Sequence, residues 1–174
     1  TPQRAYRAAC PGCGAPIEFR SAQSTHAVCP YCQSTVVRSG ETLARVGKMA
    51  EVFNDFSPLQ LQAAGVFEGQ PFTVLGRLQY HYAQGTWTEW SLLLNNGSSA
   101  FLSEDNGAYV FTLPATTARE LPAADKFRIG ASTAINGKTF TVASSETVSL
   151  LAAQGELPNL PALGKPFAMV ELRS

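Results

Sequence analysis

The residues of this chain best suited to chemistry are its four cysteines, which fall in two Cys-x-x-Cys pairs. Cys10 and Cys13 form the first pair, and Cys29 and Cys32 form the second after fifteen intervening residues. Two intervening residues allow a tight turn to bring both thiolates to one metal ion, and two such turns complete a tetrahedron of sulfur ligands. The spacing therefore predicts one structural zinc ion bound by all four cysteines.

Three other uses of the cysteines compete with zinc: two disulfides, a redox-active dithiol, and an iron centre with four thiolate ligands. Disulfides are typical of oxidising compartments, and the start of the chain lacks the apolar core of a signal peptide. Two matched pairs argue against a redox dithiol, whereas a sulfur tetrahedron suits iron as well as zinc. Because four protein ligands leave no position for a substrate, we expect a metal that stabilises the fold.

The residues around the cysteines favour a zinc ribbon over residues 1–40. Pro11 and Pro30 preset the turn after the first cysteine of each pair, and Gly14 tolerates positive φ after the second. Gln33 takes the place of that glycine in the second turn, which is a departure from the pattern. The segment between the turns alternates like a hairpin, and we expect His26 to be a surface residue of it and not a ligand.

The segment after the ribbon carries a different pattern. Its apolar residues recur at steps of three and four, as on one face of a helix. We therefore predict a helix over residues 42–54, inside a linking segment 41–56 that ends before Ser57-Pro58. The residues that define this face are Leu43, Val46, Met49, Val52, Phe53 and Phe56.

From residue 57 to 174 the sequence reads as a series of short strands. Apolar β-type runs over 72–82, 87–94 and 100–103 alternate with turn signals such as Asn95-Asn96-Gly97 and Asp105-Asn106-Gly107. The pattern predicts a mostly β protein whose main domain is an antiparallel, barrel-like β-meander.

A short sequence pattern occurs twice in this domain. Gly69-Gln-Pro-Phe72-Thr-Val74 returns as Gly137-Lys-Thr-Phe140-Thr-Val142, sixty-eight positions later. The repeat predicts two related units, over 57–113 and 123–174. Chance is the alternative, because the pattern is short and such residues are common in strands.

Composition and charge narrow the classes of partner. Residues 1–50 carry six Lys or Arg against two Glu, and the remainder carries seven against eleven acidic residues. A net charge of +4 on the ribbon end falls short of the basic stripe of a dedicated nucleic-acid binder. Because no stretch is apolar enough to span a bilayer and no signal peptide is present, we expect a cytoplasmic protein without a membrane span.

Five segments of the chain are distinctive: Ser57-Pro-Leu-Gln60, Phe72-Thr-Val-Leu-Gly-Arg-Leu-Gln79, Gly85-Thr-Trp87-Thr-Glu89-Trp90, Phe101-Leu-Ser-Glu104 and Gly155-Glu-Leu-Pro158. Together they resemble a known family, the bacterial domain-of-unknown-function family 4178. The similarity begins near Ser57, and the chain departs from the family pattern at Thr88 and Phe101. Members often carry a zinc ribbon ahead of the domain, so the resemblance covers both parts of the chain. It implies an accessory role and supplies no activity.

The segment Trp87-Thr88-Glu89-Trp90 supplies the candidate ligand or partner surface of the β domain, together with Arg77. Alternation along a strand places Trp87 and Glu89 on one face and Trp90 on the other. An exposed aromatic ring beside a carboxylate can hold a cation such as a polyamine. The preferred structural alternative is an ion pair between Glu89 and Arg77 on the neighbouring strand.

No catalytic motif is recognisable in the sequence, so we expect a protein without enzymatic activity. The predicted function is a zinc-binding accessory or scaffold protein that acts through protein partners. The alternative is a binder of a small cation such as a polyamine, or of nucleic acid.

Overall fold

The computed structural model describes residues 6–53, 57–115 and 117–174, and antiparallel strands make up most of it. The predicted mostly β architecture is therefore confirmed. The described residues contain one helical segment, a single 3₁₀ turn at Ala124–Lys126. The strands are β1 (Tyr6–Ala9), β2 (Pro16–Phe19), β3 (His26–Val28), β4 (Ser34–Ser39), β5 (Thr42–Lys48), β6 (Ala64–Phe67), β7 (Gln70–Tyr82), β8 (Gly85–Leu94), β9 (Ser99–Asp105), β10 (Ala108–Thr112), β11 (Ser132–Ile135), β12 (Lys138–Leu157) and β13 (Phe167–Arg173).

One large sheet contains eleven of these strands. Its main path runs β10-β9-β8-β7-β12-β3-β4-β5, while β6 pairs with β7, and β11 and β13 pair with β12. The strands β1 and β2 form a separate two-stranded sheet. In the described part of the chain β10 and β5 end the path without pairing to each other, so the predicted meander forms but does not close into a barrel.

The predicted linking helix is wrong for the residues that the structure describes. Thr42–Lys48 form β5 and pair with β4. The spacing of apolar residues fits a helix, but the chain reverses at Gly40, whose φ is 61°, and β4 then offers backbone partners to the returning segment. The last residues of the predicted 41–56 segment, Asn54–Phe56, lie outside the described residues.

The longest strand, β12, connects the ribbon to the rest of the sheet. Its first half pairs with β11 and β13, and its second half pairs with β7 and β3. Since β3 belongs to the predicted ribbon, the sheet crosses the boundary predicted from the sequence. A Cβ atom on Gly155 would lie 2.3 Å from the carbonyl oxygen of Leu75, so the close approach of the paired strands β7 and β12 at this position requires glycine.

The two copies of the repeated sequence occupy equivalent positions in two hairpins. Each hairpin joins a four-residue strand to a long one, β6 to β7 and β11 to β12. The turn residues Glu68 and Gly69 have φ values of 49° and 80°, and Asn136 and Gly137 have values of 50° and 79°. Both turns therefore have two residues of positive φ, as type I′ turns require.

The backbone around both hairpins is hydrogen-bonded in the same way. The N–H of Val74 donates to the carbonyl oxygen of Ala63 at 2.8 Å, and the N–H of Val142 donates to that of Ala131 at 2.9 Å. A register shift follows each valine in its strand. The two related units remain a prediction from the sequence, and this shared geometry favours it.

Two apolar clusters pack on opposite faces of the sheet. Leu78 and Tyr80 of β7 belong to one cluster, and Trp90 and Leu92 of β8 belong to the other. Trp90 is fully buried, so the second cluster is a true core. Among the described residues, no helix has the length and apolar character that crossing a membrane demands.

Candidate metal centre

The first cysteine pair lies in a tight turn between β1 and β2. The N–H of Gly14 donates to the carbonyl oxygen of Cys10 at 2.8 Å, and the N–H of Cys10 donates to that of Ala15 at 2.8 Å. Gly14 has a φ of 80°, as expected for the residue after the second cysteine. This turn directs both side chains of the pair to one side.

The second turn, between β3 and β4, repeats the first one bond for bond. The N–H of Gln33 donates to the carbonyl oxygen of Cys29 at 2.9 Å, and the N–H of Cys29 donates to that of Ser34 at 2.9 Å. Gln33 has a φ of 59°, so it adopts the conformation that Gly14 adopts in the first turn. The departure at Gln33 therefore leaves the geometry of the turn intact.

The two turns face each other and bring the four sulfur atoms together. All four Sγ atoms lie within 4.8 Å of one another. The Sγ atoms of Cys10 and Cys32 are 3.7 Å apart, as are those of Cys13 and Cys29. A metal about 2.3 Å from each sulfur requires separations of about 3.8 Å. A disulfide requires about 2.05 Å, so the arrangement fits four thiolates around one metal ion and not two disulfides.

Neighbouring groups hydrogen-bond the sulfur atoms. The N–H of Gly12 donates to Cys10 Sγ at 3.3 Å, and Ser34 Oγ lies 3.1 Å from Cys32 Sγ. Hydrogen bonds with the hydroxyl and then the backbone of Ser34 lower the pKa of the Cys32 thiol to about 6. Metal ligands must be deprotonated, so this environment favours the binding form of Cys32.

A small apolar core supports the site. Cys10 and Cys29 are buried in it, while Cys13 is exposed. The guanidinium of Arg38 lies 4.3 Å from the ring centre of Tyr6, whose hydroxyl donates to the carbonyl oxygen of Glu41. The other buried members of this core are Ile17, Phe19, Ala27 and Val36.

His26 lies at the start of β3, away from the group of sulfurs. Its Nδ1 is 2.7 Å from the hydroxyl of Thr25, and burial lowers its pKa. The four cysteines form a group without His26, which is half-buried in the hairpin and therefore less exposed than the surface position predicted from the sequence.

A buried carboxylate that sequence reasoning missed joins the ribbon to β12. Glu156 is 5% exposed and accepts hydrogen bonds from the N–H of Arg20 at 2.8 and 2.9 Å. It also accepts one from the N–H of Ser21 and one from the hydroxyl of Ser24, each at 2.9 Å. A single carboxylate in an apolar strand end, Gly155-Glu-Leu, is the one sequence signal that points to this role.

The candidate surface on β7 and β8 does not form one site. Arg77 lies opposite Trp90, and Glu89 lies opposite Leu78. Since Glu89 and Trp90 are adjacent in a strand, their side chains point to opposite faces. The predicted ion pair between Glu89 and Arg77 is therefore wrong, and the fully buried Trp90 belongs to the core and not to a surface.

Arg77 instead packs on the aromatic ring of its cross-strand neighbour. Its guanidinium carbon lies 5.2 Å from the centre of the Trp90 ring, within the range of cation–π attraction. The indole N–H of Trp90 is buried and has no hydrogen-bond acceptor among the described residues.

Trp87 and Glu89 share the other face, as the sequence predicted. The ring of Trp87 stacks on Tyr80 at 4.9 Å and meets the edge of Tyr82 at 5.1 Å. Burial raises the pKa of the Glu89 carboxyl. Within the described residues no Lys or Arg forms an ion pair with Glu89, so a partly buried carboxylate lies beside an aromatic cluster without a cation.

Comparison with known proteins gives a family and no closer relative. The family model described as "Domain of unknown function (DUF4178)" matches residues 60–174. No curated protein matches the chain, and no solved structure matches it. The match covers the β domain from just after residue 57 and leaves the cysteine-rich segment outside it.

Proposed function

This chain belongs to the family of domains of unknown function DUF4178, and from that premise we propose that it is a non-enzymatic accessory protein. In this proposal one zinc ion stabilises the ribbon and an edge of the large sheet binds a protein partner. A reducing compartment such as the cytoplasm suits this role, because the four thiols must stay reduced to bind metal.

The four-cysteine site favours a structural metal over a catalytic one. Four protein ligands complete a tetrahedron and leave no position for a substrate. Zinc is preferred to iron because two Cys-x-x-Cys pairs separated by fifteen residues have the spacing typical of zinc sites. Elemental analysis of unchelated protein tests this choice: one zinc per chain is expected, and one iron per chain would replace zinc in the proposal.

The observation that carries the interaction role is an exposed apolar area at the β10 end of the sheet, which we call the β10 edge. It consists of Val66 and Phe67 at the tip of the β6–β7 hairpin, with Val110, Phe111 and Leu113 in and after β10. Phe67 stacks on Phe111 at 4.2 Å, yet Val66, Val110 and Leu113 are 66%, 58% and 61% exposed. Val110 and Phe111 are consecutive in β10 and point to opposite faces, so the apolar side chains flank the end strand on both sides and leave it as an apolar edge to which a partner can bind.

The two ends of the large sheet differ in how they are protected. The end strand β5 carries Arg45 and Lys48, and charges of this kind discourage pairing with another chain. The other end strand, β10, has the sequence Ala-Tyr-Val-Phe-Thr and carries no charge. We therefore infer that the partner adds an extended, apolar segment to β10.

Replacing Val110 with lysine is expected to abolish partner binding without unfolding the protein. Val110 is exposed at the middle of the end strand, so the substitution adds a charge to the β10 edge and removes little packing. We expect at least a tenfold loss of partner recovered in quantitative pull-down from the native cell, with an unchanged melting temperature.

The matched control is Val46→Lys, because Val46 is 61% exposed in the opposite end strand β5. Proteins recovered by both the wild type and Val46→Lys but lost with Val110→Lys are the partners that the proposal requires. Equal recovery with all three chains would refute the β10 edge as the binding surface.

A small cation such as a polyamine is a second candidate ligand, favoured by the unpaired Glu89 beside Trp87 and Tyr80. A protonated amine there would neutralise the carboxylate and lie against aromatic rings. Nucleic acid is less favoured, because Arg7 and Arg20 lie within ion-pair distance of Glu18 and are thus partly neutralised.

The cation candidate predicts that spermidine raises the melting temperature of the wild type and not of Glu89→Gln. Because burial raises the pKa of Glu89, the spermidine effect is expected to be lost on acidification at a pH above the ordinary glutamate value of 4.5. If millimolar spermidine at pH 7 leaves the melting temperature of the wild type unchanged, this candidate is eliminated.

A further inference from the structure

The two cysteine turns share a backbone but differ in one side chain behind the sulfurs. The residue that accepts the N–H of the first cysteine is Ala15 in the first turn and Ser34 in the second. Ser34 is 3% exposed. The second turn therefore adds one buried hydroxyl to a geometry that the first turn achieves without it.

The hydroxyl of Ser34 is positioned between a cation and a sulfur. Its Oγ lies 2.9 Å from Arg45 Nε and 3.1 Å from Cys32 Sγ. A guanidinium can only donate, so the Arg45 N–H takes a lone pair of the hydroxyl and leaves its proton available. A metal-bound thiolate carries no proton, so in the metal-bound site the hydroxyl donates to Cys32.

The space for this hydroxyl comes from the first turn. A Cβ atom on Gly12 would lie 2.6 Å from Ser34 Oγ, so a larger residue would displace the hydroxyl. The N–H of Gly12 meanwhile donates to Cys10 Sγ at 3.3 Å. The two turns thus interlock through Gly12 and Ser34.

We infer that Ser34, oriented by Arg45, is a positioning residue that holds the Cys32 thiolate on the metal from outside the ligand sphere. The inference rests on the proposed metal site and assigns unequal roles to its two cysteine turns. Cys13 is exposed, whereas Cys32 is held by a hydrogen-bonded chain that ends in a positive charge. Groups that hydrogen-bond a ligand in this way typically change metal affinity by about 10- to 100-fold.

The test is Ser34→Ala, which gives the second turn the side chain of the first. We expect its apparent zinc affinity, measured by competition with a chelator, to fall at least tenfold. In the cobalt-loaded protein we expect the sulfur-to-cobalt charge-transfer absorption to move to longer wavelength, because a thiolate that loses a hydrogen bond is a stronger electron donor. Arg45→Met should shift both readouts in the same direction by less.

Ser39→Ala, an exposed serine at the end of the same strand, is the matched control and should change neither readout. A folded Ser34→Ala with zinc affinity within twofold of the wild type and an unchanged absorption would overturn the inference. If Ser34→Ala does not fold, Arg45→Met tests the inference by the same two readouts, because Arg45 is exposed and its replacement removes little packing. A wild type that takes up no zinc would overturn the metal site as well, whereas full uptake with unaffected variants overturns this inference alone.

Discussion

Removing the metal is expected to unfold residues 6–48 while β7, β8 and β9 stay folded. Two of the six buried residues in the ribbon core, Cys10 and Cys29, are the predicted ligands. A segment of this size buries little apolar surface of its own and usually needs a cross-link or a metal to stay folded. Structural zinc contributes an apparent 10 to 16 kcal/mol in comparable small units, on the order of the whole stability of a domain.

Hydrogen exchange measured by mass spectrometry before and after chelation identifies which residues unfold when the metal is removed. Amides of residues 6–48 should lose their protection, and those of residues 155–157 should lose part of it because they pair with β3. Adding zinc back should restore protection in the wild type but not in Cys29→Ser. Unchanged exchange over residues 6–48 in protein proven metal-free would contradict the proposed role of the metal.

The grouping of the four cysteines was predictable because the turn that holds each pair is local in sequence. Each cysteine turn spans six residues, 10–15 and 29–34, and closes its own hydrogen bonds, so the spacing of each pair carries the geometry of its turn. Even Gln33, the one departure from the pattern, adopts the required positive φ. The alternation that separates Trp87 from Trp90 was predictable for the same reason.

The failures came from strand pairing and register, which the spacing of apolar residues does not specify. Residues 42–48 have helical spacing, yet the partner strand β4 overrides that preference. Arg77 and Glu89 lie on adjacent strands, and the register shift between Val74 and Gly76 helps decide which residues face each other. No sequence pattern specifies that register, nor that Glu156 will meet a turn 135 positions earlier.

Replacing Glu156 with alanine is expected to lower the free energy of unfolding by about 3 kcal/mol, the second large effect. The carboxylate accepts bonds from two backbone N–H groups and a hydroxyl in the turn that follows β2. Alanine leaves these buried donors without an acceptor and disconnects the turn from β12. Glutamine should cost less, since its oxygen still accepts while its amide group faces an N–H donor.

Chemical denaturation of the metal-loaded protein at pH 7 measures both variants. Glu146→Gln is the matched control, because Glu146 lies on β12 opposite Met169, away from the ribbon. The control should stay within about 0.5 kcal/mol of the wild type. If Glu156→Ala were equally mild, the carboxylate would not be what fastens the ribbon to the sheet.

The pH dependence of stability separates the charge of Glu156 from its shape. Burial raises the pKa of Glu156, although the N–H donors of Arg20 and Ser21 oppose the shift. A raised pKa in the folded protein means that this group contributes stability below the unfolded value of about 4.5 and loses that contribution as pH rises through its folded pKa. The wild type should therefore show a larger gain in unfolding free energy than Glu156→Gln on acidification toward pH 5 from neutral.

Because cysteine ligands release metal when they are protonated, the comparison requires zinc occupancy to be verified at each pH. Parallel curves for the two chains, both fully loaded, would mean that the three donor groups compensate the cost of burial and that Glu156 fastens the ribbon equally well in either charge state.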